Sequence, residues 1–138
     1  MNTEHPLVLD LLALPKAVPE ARRAVRDHMG GPCPELQLCV SELLANVIRH
    51  VGEGAPVTLR LARAVGGGTR LEVTDPDSHT WLMLRHPGTE DETGRGLLLL
   101  DAVTTRWGVR QDAHGKTVWC EVAGTTTGRS GPAGPERL

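Results

Sequence analysis

Apolar and polar positions alternate with two distinct periods along the chain, and the switch between them marks out the elements. From Pro34 onward the spacing is helical. At about 100° per residue, Leu36, Val40, Leu43, Leu44, Val47 and Val51 gather on one broad side, the pattern of a helix packed on a sheet. Glu42, Asn46 and His50 lie four apart on the adjoining stripe, along the edge between core and solvent, where one ligand would touch all three. Proline at the start and Gly52-Glu53-Gly54 at the end bound this helix. An earlier helix is expected from Pro19 to Met29, with Glu20 in its first turn and Gly30-Gly31-Pro32 as its stop.

The remaining apolar runs have strand character. The run from Leu7 to Leu14 is an opening strand that leaves the sheet at Pro15. Pro56 to Arg63 and Arg70 to Thr74 both alternate, and Gly66-Gly67-Gly68-Thr69 turns one into the other as an antiparallel hairpin. Trp107 to Gln111 and Lys116 to Val122 form a last hairpin through His114-Gly115. Between the hairpins, Asp75 to Thr93 is long and polar for a loop, as lids and binding loops are. Gly94-Arg95-Gly96 then opens a third helix over Leu97 to Val103, whose exposed N–H groups suit a phosphate. The order of elements predicts an α+β two-layer sandwich, a mostly antiparallel sheet with helices on one face. Residues 1–123 are expected to form one domain, and 124–138, with almost nothing to bury, a disordered tail.

Composition narrows the function more than the fold. The 138 residues have 39% hydrophobic and 23% charged residues and a formal net charge of -2, which provides no field for nucleic acid. Tyr and Phe are absent, so base-stacking platforms are lacking too. No apolar run reaches the length of a membrane span and no secretory leader is visible, so a soluble cytoplasmic protein is expected. Cys33, Cys39 and Cys120 lack C-x-x-C spacing and read as reduced packing residues. Arg22, Arg23 and Arg26 make a solvated helix surface or a grip for an acidic partner.

Spacing excludes several familiar sites. Gly115-Lys116-Thr117 ends like a P-loop, but position 110 is Arg and a strand follows. Gly94-Arg95-Gly96 lacks the third glycine of a dinucleotide fingerprint, and Ser41, Ser78 and Ser130 have no nucleophile elbow. There is no H-E-x-x-H. What remains suits a nucleotide with magnesium: a carbonyl oxygen at Asn46 for Mg²⁺, a base one turn earlier at Glu42, and Asp75 after a strand to accept from an exocyclic amine.

These boxes together resemble the histidine-kinase-like (GHKL) ATPase fold, and within it the bacterial serine-kinase anti-sigma factors and their actinobacterial relatives. Val40-Ser41-Glu42 with Asn46 and His50 resembles the N-box, and Val73-Thr74-Asp75 the start of the adenine box. Thr93-Gly94-Arg95-Gly96-Leu97 resembles the second glycine box, and Gly115-Lys116-Thr117-Val118 the strand beside the adenine. The resemblance covers roughly residues 7 to 122. It implies ATP and Mg²⁺ as cofactors, with Asn46 the metal ligand, Glu42 the catalytic base, Asp75 the adenine-reading group and Thr117 its support. Gly94, Arg95, Gly96 and Leu97 would hold phosphate, and His50 would serve either the helix end or the ligand.

The implied activity is a serine/threonine-protein kinase that phosphorylates a sigma factor, an anti-sigma factor antagonist or another transcription regulator, without direct nucleic-acid or membrane contact. Dimerisation is implied by the family alone. One departure stands out: where the family usually has Asp-x-Gly-x-Gly, this chain reads Asp75-Pro76-Asp77-Ser78-His79. Asp77 therefore brings a second carboxylate to the base pocket. The departure leaves open a second reading, a non-catalytic module that sequesters a sigma factor or transcription regulator with weak or structural ATP binding.

Overall fold

In a computed structural model, the structure describes residues 5–76, 100–113 and 115–123. The elements are β1 (Leu7–Leu12), α1 (Ala17–Met29), α2 (Pro34–His50), β2 (Pro56–Arg63), β3 (Thr69–Asp75), β4 (Arg106–Asp112) and β5 (Gly115–Val122). The α+β expectation holds. The five strands form one sheet in the order β1-β2-β3-β5-β4, and every neighbouring pair is antiparallel. Residues 100–103 are helical and are the described part of the expected third helix. The lid expected between Asp75 and Thr93 lies, from position 77 on, outside the described residues, as does the segment 124–138.

Strand alternation gives the sheet two unlike faces. Val57, Leu59 and Leu61 of β2, Leu71 and Val73 of β3, and Val118, Cys120 and Val122 of β5 point to the core. Opposite them stand Leu36, Cys39, Val40, Leu43, Leu44 and Val47 of α2, with Ala21 and Val25 of α1. The apolar stripe read from spacing is thus the buried one, because only that stripe can be removed from water against a sheet. α2 packs across β3 and β5, while α1 lies against β1 and α2.

Short connections fix the direction of α2. Gly30 closes α1 in the left-handed region at φ 89°, its N–H donating to the Arg26 and Asp27 carbonyls. Val51 and Gly52 donate to the Val47 carbonyl at the end of α2, and Gly54 donates to Ala13 just past β1. His50 therefore lies at the end of the sheet where β2 starts. By register, β3 ends and β5 starts at that same end.

Candidate functional site

The edge stripe of α2 runs toward that end between the layers. Glu42 is half-buried, and burial raises its carboxyl above the ordinary range, with Arg49 pulling the other way. Asn46, one turn on, is 3% exposed. Its Oδ1 accepts from Arg49 Nη1 at 3.5 Å, whereas its buried Nδ2 has no hydrogen-bond partner among the described residues. A buried amide with one side unmatched is costly in a finished core, by about 1–3 kcal/mol. It fits a site completed by something polar. His50 follows at the helix end and is half-buried.

Asp75 ends β3 on the helix-facing side, in line with Leu71 and Val73, and is 1% exposed. Glu42, Asn46 and His50 thus lie along the stripe of α2 that runs toward the end of the sheet where Asp75 closes β3. Asp77, Gly94, Arg95, Gly96 and Leu97 lie outside the described residues. Thr117 falls elsewhere. It pairs with Thr74, and the two hydroxyl oxygens are 2.7 Å apart on the face away from the helices. A strand's two-residue period forbids Thr117 the side that Asp75 occupies.

The residue that does share that side is Lys116, opposite Asp75 in register and two positions before the inward Val118. Its Nζ lies 3.6 Å from Asp75 Oδ2, and the residue is 2% exposed. Motif spacing passed over it, although the parity of Val118, Cys120 and Val122 marks position 116 as inward. Arg49 was missed as well; its signal was the three-residue step from Asn46, which puts it on the same helix flank.

A concavity of about 510 Å³ adjoins this end of the sheet. Asp10, Thr58 and Thr74, which line it, belong to the outer face, where Thr58 donates to Asp10 Oδ1 at 3.0 Å. Asp75 and Pro76 line it as well, so it reaches the end of β3 where the candidate site begins. Among the described residues no His/Cys/Asp/Glu group is arranged to hold a metal ion. A magnesium ion fits this donor set only through the neutral oxygen of Asn46, with phosphates and waters completing its shell. No described helix is long and apolar enough to cross a membrane.

Comparison with known proteins agrees with the fold. A family model described as a histidine kinase-like ATPase domain matches residues 11–121, and the chain belongs to that family. It is 49% identical over 86 residues to the uncharacterised protein SCO4941 of Streptomyces coelicolor, covering 62% of this chain and 82% of that one. Its fold is similar to that of a chain in the crystal structure of the SiaB-SiaC complex from Pseudomonas aeruginosa. There the TM-score is 0.61 at 13% identity, with 84% of this chain and 88% of the other covered.

Proposed function

We infer that this is an ATP-binding regulatory protein of the anti-sigma kinase type, which transfers the γ-phosphoryl group of ATP to a serine or threonine of a partner protein that controls transcription. The observation that carries the reading is Asn46, buried one turn beyond a half-buried carboxylate, its Nδ2 donor unmatched and its Oδ1 in only a 3.5 Å contact with Arg49. Asn46 would hold Mg²⁺ through its carbonyl oxygen, and the metal would neutralise phosphate charge. Glu42 takes the proton of the acceptor hydroxyl, whose oxygen bonds to the γ-phosphorus as the bond to the bridging oxygen of ADP breaks. Its raised pKa suits it to accept a proton. Asp75 accepts from the exocyclic amine of adenine. The similarity to a chain from a two-protein complex supports a partner-binding role.

Calorimetry with ATP·Mg²⁺ tests this directly. The wild type is expected to bind and Asn46→Ala to lose at least about tenfold in affinity, since a metal ligand and a buried polar group go together. Absence of binding by the wild type would sink the reading. Phosphate transfer to a partner that persisted undiminished in Glu42→Ala would refute the base. The second reading, a sequestering module with weak ATP binding, is favoured by one observation: Lys116 already stands against the carboxylate that a base would need.

A further inference from the structure

We propose that Lys116 is a built-in competitor for the base, its ammonium holding the Asp75 carboxylate so that the site between the layers stays closed until a nucleotide displaces it. The inference rests on the nucleotide reading and goes beyond it by naming what limits affinity. Register sets the contact. Asp75 and Lys116 are directly opposed on β3 and β5, both on the side facing the helices, with Nζ 3.6 Å from Oδ2. The two residues are 1% and 2% exposed, so the pair is held out of bulk solvent. The two strands also run close together beside the pair. Gly115 is at φ +142°, and any Cβ would overlap the Asp75 carbonyl oxygen.

An amine of adenine brings a partial charge to that oxygen, whereas Lys116 brings a full one. In a dry interlayer space the full charge wins unless it regains water or another anion as it leaves. A lysine can make that exchange without backbone motion, because its ammonium rides on a flexible four-carbon stem. The carboxylate is then released to the base. A purely structural ion pair makes a different prediction. Its loss would lower stability and leave nucleotide affinity unchanged, since it competes with nothing.

The test is ATP·Mg²⁺ affinity of Lys116→Thr beside the wild type, repeated with inosine triphosphate, which lacks the exocyclic amine. The variant is expected to tighten ATP by at least about tenfold and inosine triphosphate by much less. A removed cation would otherwise weaken polyphosphate binding, so the sign is diagnostic. If the wild type binds and Lys116→Thr binds ATP no better, the proposal is overturned and the nucleotide site stands. If neither binds, both fall.

A second measurement does not depend on the variant folding. Lys16 and Lys116 are the lysines of the chain, and Lys16 is exposed. In wild-type protein with ¹³C-labelled lysine, the Lys116 side-chain resonance is expected to shift on adding ATP·Mg²⁺ while that of Lys16 stays. A Lys116 resonance unmoved at saturating ATP would overturn the proposal.

Discussion

At the scale of single residues, the site is shaped as much by where a side chain cannot go as by where it does. Gly115 begins β5 with a positive φ, and a Cβ there would overlap the Asp75 carbonyl oxygen and the Pro76 Cα, both backbone neighbours with nowhere to move. Gly115→Ala is therefore expected to destabilise the fold by about 2–4 kcal/mol, combining strained backbone with steric displacement. Urea unfolding measures it, and Gly31→Ala is the control, since nothing lies within 4 Å of a Cβ there. A loss at Gly115 no larger than at Gly31 would show that the β3–β5 approach is looser than described. Strand register, with Asp75 opposite Lys116 and Thr74 opposite Thr117, is why position 116 rather than 117 meets Asp75. The flank placement of Glu42 and Asn46 and the inward placement of Asp75 were legible from the helix and strand periods. The face of Thr117 was legible too, had strand parity been weighed above the motif, because Val118 points inward and Thr117 is its neighbour.

Between elements, legibility followed the range of the interaction. β2 was read with the bounds it has and the other strands within about two residues, because alternation and turn residues act locally. α1 starts at Ala17, two positions before Pro19, which sits in its first turn as an N-terminal proline may without losing a needed N–H. The role of Arg22 was not legible, since it depends on a helix pair that spacing does not reveal. Its Nη1 donates to Ser41 Oγ at 2.7 Å and to the Gln37 carbonyl at 3.2 Å, and Gln37 Nε2 returns a bond to the Arg22 carbonyl at 3.2 Å. Arg22 thus joins α1 to α2 one residue from Glu42, while Arg23 and Arg26 are exposed. Arg22→Ala is expected to lower stability by about 1–3 kcal/mol through lost charge-assisted bonds, against less than about 0.5 for Arg23→Ala. Thermal unfolding of the two variants checks this, and equal effects would show that the three arginines act as one solvated surface. A partner surface on α1 would then draw on Arg23 and Arg26, which are not engaged in this joint.

On the scale of the whole molecule, the sheet order β1-β2-β3-β5-β4 was beyond the sequence, because inserting β5 between β3 and β4 is a non-local pairing that no local period encodes. That insertion also builds the outer face, the side of the sheet away from α1 and α2. There Arg70 from β3 and Arg106 from β4 converge on Glu121 of β5, with Nη1 to Oε2 at 2.8 Å and Nε to Oε1 at 2.9 Å. Arg70 also bonds Glu72 at 2.8 Å and lies 4.1 Å above the Trp119 ring, whose indole crosses Gly108 where a side chain would collide. Glu121 is buried, so its charge is tolerable only because two guanidinium groups meet it. The Arg106 hydrogen bond, ahead of an opposing contribution from burial and a further lowering by Arg70, holds its carboxyl below the ordinary range. The sign of the linkage follows: a carboxyl whose pKa is lower folded than unfolded stabilises the fold fully above the unfolded value and loses that contribution as pH falls through the folded one. Glu121→Gln is accordingly expected to cost on the order of 1–3 kcal/mol near neutral pH. The gap to wild type should close in acid, once both proteins carry a neutral side chain at 121. Chemical denaturation across the acid range measures that convergence. A gap that stayed constant with pH would mean that the three strands are held together by packing around Trp119 rather than by the ionised carboxylate.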